Sequence, residues 1–405
     1  AHLPLLGARS EPRRNERSRA MLKLTTRGVA RGDFDWTVGV ATRSKCSPES
    51  IRLIEDPGEL ASLGECRAVV STLPSEALQD LTVPTIAEIK SLEHIQDGNI
   101  LLLTRSAGMV NTLYRSDSDH NVFFITDRCN SNCLMCSQPP IDHDDSGNLD
   151  VNAELIRLMN PVPKVLGITG GEPTLLRERF LDLLVQLREK MPDSWIHMLT
   201  NGRAFAWKDF TRQFAQARHP RMTLGIPLYS DLAPEHDYVV QARGAFDQTV
   251  MGVHQLARHH QSLEIRVVLH KQTCARFGRL ARFIYRNMPF VNHVALMGLE
   301  MMGYVRRNYE LLWVDPSEYQ DELEEAVEFL TTRGMNVSIY NHQLCLLRPS
   351  LWKFAKQSIS DWKNIYLDEC QRCSVRDQCG GLFKSAAELH SPHIKAIKER
   401  EHAKT

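Results

Sequence analysis

Cys129-x3-Cys133-x2-Cys136 places three potential metal ligands within eight residues. With 10 cysteines in 405 residues, a triplet of this spacing arises by chance about 0.006 times per chain. Three thiolates on one loop can hold three irons of a [4Fe–4S] cluster and leave the fourth iron without a protein ligand. An iron left open in this way can be chelated by a small molecule that carries an amine and a carboxylate. Zinc is the competing occupant. It usually takes two pairs of ligands, whereas this loop offers three cysteines and no histidine.

A second group lies near the C-terminus: Cys345, then Cys370-x2-Cys373-x5-Cys379. Four thiolates saturate one [4Fe–4S] cluster, and four also fit a structural zinc. Cys46, Cys66 and Cys274 stand apart and read as fillers of apolar space. Cys274 follows an apolar run on the functional side, which leaves a contact with the active site open. Gly170-Gly171-Glu172-Pro173 also follows an apolar run. Glycines let a backbone approach a ligand closely, and a carboxylate such as Glu172 suits an ammonium partner. A lone Gly-Gly-Glu is equally an ordinary turn.

The elements that must carry these residues are short apolar runs: VFFIT (122–126), VLGIT (165–169), WIHMLT (195–200), MTLGIPL (222–228), LEIRVVL (263–269) and HVALMGLE (293–300). Helical stretches separate them, at 153–159, 177–190, 208–217, 245–260 and 278–287. In the second of these Phe180, Leu183, Leu184 and Leu187 share one face. Strand–helix alternation implies a parallel sheet with right-handed crossovers. The expected class is α/β, with a partial (β/α)6 TIM-type barrel over 121–310 rather than an open doubly wound sheet, two arrangements that periodicity alone does not separate. The cysteine loop and Gly-Gly-Glu-Pro would then lie at the C-terminal mouth of the strands, where catalytic groups collect.

Residues 21–120 predict an N-terminal α+β domain, with strands at 36–42 and 67–73 and a hairpin of 100–105 and 110–115. A helix over 316–334, a strand at 336–340 and an irregular cysteine-rich stretch predict a separate C-terminal domain over 311–390. Residues 391–405 predict a polar tail with a solvated helix, and the Arg-rich 1–20 a mobile extension before Met21.

Hydrophobic residues make up 42% and charged residues 24% of the chain, which fits a globular protein and argues against global disorder. Lys+Arg and Asp+Glu are both 49, so the overall basic excess of a protein that wraps nucleic acid is missing. No apolar run is long enough to span a membrane, and no signal-peptide core is evident. Those features predict a cytoplasmic, reducing setting, where clustered cysteines mean metal rather than disulfides.

FITDRCNSNCLMCSQPP followed by GITGGEPTLL resembles the radical S-adenosylmethionine (SAM) superfamily. The resemblance implies that Cys129, Cys133 and Cys136 ligate the catalytic cluster, and that Gly170, Gly171, Glu172 and Pro173 hold the SAM amino group. Thr200, Asn201 and Gly202, with Ser230, correspond to ribose and carboxylate contacts. Arg266 resembles an arginine that reaches the SAM carboxylate, and Met297 with Gly298 the adenine-side motif. Met135 stands where many members place an aromatic. The C-terminal cysteines with CGGLF resemble the auxiliary iron–sulfur (twitch/SPASM-like) domains of peptide-modifying members, so Cys345, Cys370, Cys373 and Cys379 would hold a second [4Fe–4S] cluster.

DRCNSNCLMCSQPP, HDYVVQARGAFDQTV, LMGLEMMGYVRRN, SIYNHQLC, SISDWKN and CGGLF together resemble the His-Xaa-Ser system radical SAM maturase of C type. That implies an enzyme that cleaves SAM to a 5′-deoxyadenosyl radical and modifies a small protein bearing His-Xaa-Ser repeats. A second radical SAM maturase and a flavodoxin- or ferredoxin-type electron donor would be its partners, with no membrane or nucleic acid. A radical SAM enzyme acting on a small molecule or RNA, and a zinc-dependent interaction module, are the rival readings.

Overall fold

The computed structural model describes residues 24–44, 46–118, 121–359 and 363–398. The expected extension over 1–20, the tail beyond 398, and Ser360, Asp361 and Trp362 of the SISDWKN segment lie outside the described residues.

The first sheet is mixed. Its strands run in the order 25–27, 109–114, 100–104, 36–42, 50–54, 68–71, 85–87, 29–31. Thr25–Arg27 pairs with the strand Met109–Tyr114, and Val29–Arg31 pairs with Thr85–Ala87. Only Gly28 separates these two short strands, so both ends of the sheet meet in one segment. Both terminal strands are only three residues long, and short edges offer little template for aggregation. A side chain at position 28 would place its Cβ 2.0 Å from the Ala87 carbonyl oxygen, so the crossing demands glycine. Ile51, Leu53, Val70, Ile86, Leu101 and Leu103 fill the interior.

The expected hairpin forms, with Ile100–Thr104 antiparallel to Met109–Tyr114. The helical half of the α+β expectation does not. Among the described residues of this region only 3-10 turns occur, Pro57–Ser62 and Ser75–Leu78. The connection 43–49 between parallel strands is too short for an α-helix, and the longer connections 55–67 and 72–84 form the 3-10 turns instead.

The second sheet is parallel throughout. Its strands are β1 (Asn121–Phe124), β2 (Val165–Thr169), β3 (Trp195–Leu199), β4 (Met222–Pro227), β5 (Ser262–Leu269), β6 (His293–Gly298), β7 (Val337–Tyr340) and β8 (Ala355–Lys356), paired in that order. The connecting helices are α1 (Gly147–Leu158), α2 (Arg177–Lys190), α3 (Lys208–Ala217), α4 (Ala233–Val240), α5 (Ala245–Arg258), α6 (Phe277–Asn287) and α7 (Gln320–Thr331). Leu166, Ile168, Ile196, Met198, Ile265 and Val267 alternate along β2, β3 and β5 and are buried in one core with Phe180, Phe214 and Leu280 of the helices, as a period of two demands.

Six strands were expected, and the sheet continues to a seventh and a two-residue eighth. The boundary expected near 310 therefore falls inside the sheet. α7 packs its buried Leu323, Val327 and Leu330 into the barrel core and delivers β7 next to β6. The expected solvated helix in the tail is also absent over 391–398, where Ile394 and Ile397 are buried. Their apolar side chains have thiol-lined space to fill. α1 joins the two sheets: Arg67 of the first pairs with Glu154, and Arg157 pairs with Glu49. No helix among the described residues is long and apolar enough to cross a membrane.

Candidate active site

Cys129, Cys133 and Cys136 lie on the loop that leaves β1 at the C-terminal mouth of the parallel sheet. Backbone hydrogen bonds hold this loop. Asn132 N and Leu134 N donate to the Val240 and Val239 carbonyls at the end of α4, at 3.0 and 2.9 Å, and Tyr304 N donates to the Cys136 carbonyl at 2.9 Å. The Asn308 amide donates to the Leu134 carbonyl at 2.8 Å. Arg203 grips the Asn130 carbonyl and donates to Ser131 Oγ at 3.0 Å.

Burial pushes the Cys129 thiol up to about 11, with nearby Glu172 adding to it, and pushes Cys133 up to about 12, with Cys136 and Cys129 adding to it. Ionised sulfur here requires a compensating cation, which a metal centre supplies. Among the described residues, the group of three metal-type ligand atoms lying within 4.8 Å of one another is Asp127, His143 and Asp145; no three thiols do so. Tetrahedral zinc with bonds of about 2.3 Å needs sulfurs about 3.8 Å apart. The loop's open spacing and its three-thiol donor set fit the larger core of a cluster. Asp145 is already committed, accepting from Thr126 Oγ1 at 2.8 Å and from Arg128 Nε at 3.3 Å.

Gly170 to Pro173 leave β2 directly beside this loop. Gly171 N donates to the Thr126 carbonyl at 2.6 Å, and Glu172 N to the Arg128 carbonyl at 2.8 Å. A Cβ on Gly171 would fall 2.1 Å from Arg128 O. The close approach that demands glycine is thus to the cysteine loop itself. Pro173 is buried at the start of the 3-10 turn Pro173–Leu176. Glu172 is fully buried. Its Oε1 accepts from Thr174 N at 3.1 Å, Thr174 Oγ1 at 2.6 Å and Thr200 Oγ1 at 2.8 Å. Its Oε2 accepts from Asn201 N at 2.6 Å. Burial pushes this carboxyl up, and those hydrogen bonds pull against it. The carboxylate expected to face an ammonium ligand therefore ties the end of β2 to the end of β3. Thr200 is buried against Glu172, and the Asn201 amide reaches Asn130 Oδ1 at 2.6 Å and Cys129 Sγ at 4.0 Å.

Ser230, Arg266 and Met297 come out differently. Ser230 is buried, donates to Glu235 at 2.7 Å and accepts from Leu232 N at 3.2 Å, so its hydroxyl shapes the turn into α4. Arg266 and Met297 point into the barrel, where Arg266 Nη2 lies 2.9 Å from Met297 Sδ and Nη1 donates to Glu264 at 2.7 Å.

Glu264 was missed by sequence reasoning. So were His197, His293 and Ser338, which join it across three further strands. His197 Nε2 lies 3.2 Å from Glu264 Oε1, His293 Nδ1 lies 2.7 Å from Oε2, and His293 Nε2 lies 2.9 Å from Ser338 Oγ. Burial opposes the ionised Glu264, yet hydrogen bonds from both imidazoles and the Arg266 charge outweigh it and hold the carboxyl well below the usual range. Polar residues at alternate positions of otherwise apolar runs were the available signal.

At the C-terminus Cys345, Cys370, Cys373 and Cys379 line one apolar cavity with Leu344 and Leu382. Leu344 N donates to Cys379 Sγ at 3.4 Å and Ile397 N to Cys373 Sγ at 3.5 Å. Burial, with Cys379 and Cys370 nearby, pushes the Cys345 thiol up to about 11. Cys274 is buried, and burial pushes its thiol up to about 12.

Residues 123–284 match the sequence profile of the Radical SAM superfamily. This segment is similar to radical SAM domains. Over 147 residues the chain is 32% identical to the GTP 3′,8-cyclase of Petrotoga mobilis, a match that covers 35% of this chain and 43% of that protein. It thus spans less than half the length of that curated relative. Among solved structures, Streptococcus suis SuiB bound to S-adenosylmethionine is similar at TM-score 0.47 and 16% identity, over 61% of this chain and 55% of SuiB. A radical SAM methyltransferase from Sphaerobacter thermophilus is similar at TM-score 0.40 and 15% identity, over 60% of this chain and 73% of that one. The radical SAM match indicates an enzyme, and that superfamily implies a [4Fe–4S] cluster and SAM.

Proposed function

We propose that this chain is a radical SAM peptide maturase with two clusters. Cys129, Cys133 and Cys136 hold the [4Fe–4S] cluster at the mouth, and Cys345, Cys370, Cys373 and Cys379 hold a second one. With SAM bound, the first cluster supplies one-electron chemistry that yields a hydrogen-abstracting 5′-deoxyadenosyl radical. The chain's own residues bind and orient. The Gly170 and Gly171 carbonyls accept no hydrogen bond among the described residues and take the ammonium group that Glu172 cannot. Asn201 lies at the mouth beside Cys129, and Arg266 points into the barrel beside Met297. Thr200 and Glu172 fix the corner that carries those carbonyls.

The observation that carries the reading is the second thiol group: four cysteines around one apolar cavity, with two backbone N–H groups aimed at sulfur. The substrate proposed is a small protein with His-Xaa-Ser repeats, on the sequence resemblance over about residue 98 to the end. A second radical SAM maturase and a flavodoxin- or ferredoxin-type donor are the proposed partners. SuiB has been solved with its precursor peptide SuiA, and anSMEcpe with AdoMet and a Cp18Cys peptide. The likeness to a GTP 3′,8-cyclase favours nucleotide chemistry as the second reading.

Changing Cys129, Cys133 and Cys136 together to Ala should remove about four of eight irons and abolish SAM cleavage. Full iron in that variant would overturn the assignment. Incubation of wild type with a synthetic His-Xaa-Ser repeat peptide and, separately, GTP distinguishes the substrates by mass change.

A further inference from the structure

Beyond the cysteine loop, the barrel contains a polar assembly with no part in holding a cluster. A packed barrel buries its inward side chains. Here the inward positions remain partly open: Val122 is 47% exposed, and Phe124, Thr169, Leu199 and Met297 are half-buried. The inner face of the open parallel sheet is therefore solvent-accessible below the loop. His197 lies four residues before Asn201, whose amide is 4.0 Å from Cys129 Sγ. At about 3.3 Å per residue that is about 13 Å down from the mouth.

On that floor Glu264 is anionic and accepts from three donors: Arg266 and His197 on Oε1, and His293 on Oε2. An acceptor-only carboxylate fixes both imidazole tautomers. His293 donates through Nδ1, so its Nε2 accepts from Ser338 Oγ at 2.9 Å, and both its nitrogens are occupied. His197 donates through Nε2, and its Nδ1 has no hydrogen-bond partner among the described residues. Its side chain is 20% exposed. Arg266 on the same carboxylate leaves no room for a metal cation.

We infer that His197, oriented by Glu264, is a proton acceptor for a substrate group that reaches this inner face. This deepens the maturase reading and rests on it. The chemical class is a side chain or backbone unit bearing an O–H or N–H proton on a substrate long enough to carry it about 13 Å below the C–H presented at the mouth. The X–H bond breaks heterolytically, the proton bonds to His197 Nδ1, and the electron pair stays on the substrate. The imidazolium formed is neutralised by Glu264, while Arg266, His293 and Tyr340 are the other titratable groups facing that carboxylate. Tyr229, close enough to feel Arg266, Cys133 and Cys136, is a further ionisable side chain toward the mouth. Glu264 is a positioning residue, acting through His197 as a carboxylate orients an imidazole base.

Two measurements test this. The intact, cluster-loaded chain is treated with diethyl pyrocarbonate, and modified histidines are mapped by mass spectrometry. His197 should be carbethoxylated at its free nitrogen, and His293 should resist. An unmodified His197 where the exposed His260 reacts overturns the inference. Second, His197→Ala is assayed with the synthetic repeat peptide. kcat should fall about 10²- to 10⁴-fold and recover with added imidazole, which a merely structural histidine would not show. kcat within twofold of wild type overturns it. If the alanine variant does not fold, His197→Gln keeps a donor to Glu264 and offers no basic nitrogen. If wild type leaves the peptide unmodified, the peptide reading falls, and the carbethoxylation result alone decides on the base.

Discussion

Gly171→Ala probes the join between the Gly-Gly-Glu-Pro turn and the cysteine loop. The new Cβ would sit 2.1 Å from Arg128 O and 2.6 Å from its carbonyl carbon, where ordinary contact begins at 3.4 Å. The obstacle is backbone, so no rotamer change relieves it. One of the two strands must retreat by about 1.3 Å, and the hydrogen bond from Glu172 N to Arg128 O stretches or breaks. Arg128 immediately precedes Cys129. Metal–ligand distances tolerate only about 0.2 Å, and a misplacement of about 1 Å typically costs about a hundredfold in rate. Anaerobically reconstituted Gly171→Ala should therefore lose about four irons, and the spin signal of the reduced loop cluster should weaken. The C-terminal iron should persist. Gly147→Ala is the control, since nothing lies within 4 Å of a Cβ there and its backbone is ordinary. Should Gly171→Ala keep its full iron and an unchanged spectrum, the turn does not position the cysteines and the reasoning fails.

Three further outcomes follow from the geometry. Cys370→Ala with Cys373→Ala should lose the second cluster's iron and loosen the tail, since Ile397 N packs on Cys373 Sγ at 3.5 Å; limited proteolysis with iron analysis checks it, and loss of the loop cluster as well would count against two separate sites. Glu172→Ala strands the Thr174 and Asn201 N–H groups at about 1–3 kcal/mol each, so the melting temperature should drop even without SAM; an unchanged value would return Glu172 to a purely ligand-facing role. Hydrogen bonds from Arg157 and Arg67, against partial burial, hold Glu154 at about 2 instead of 4.5. A depressed carboxyl stabilises above its ordinary value, so the link between the two sheets should weaken as pH falls from about 4.5 towards 2, by about 1 kcal/mol after solvent screening. Denaturation at stepped pH should show that loss in wild type and not in Glu154→Gln.

Spacing alone brought the first cluster's ligands into view. Eight residues cannot separate three thiols far, so Cys129, Cys133 and Cys136 share a site in any fold that leaves them on one loop. The alternation of apolar runs with amphipathic helices likewise implied a parallel sheet, because a helix between successive strands carries the chain back to start the next strand in the same direction. Tertiary structure alone decided what long separations bring together. Cys345 reaches the Cys370–Cys379 group only because β7 is laid beside β6 and the chain then returns over the sheet's edge. Glu172 has the residue type of an ammonium ligand, yet the donors of Thr174, Thr200 and Asn201 surround it. His197, Glu264, His293 and Ser338 stand on four strands. A period of two says that each faces one side of the sheet, and only the order of the strands says which of them meet.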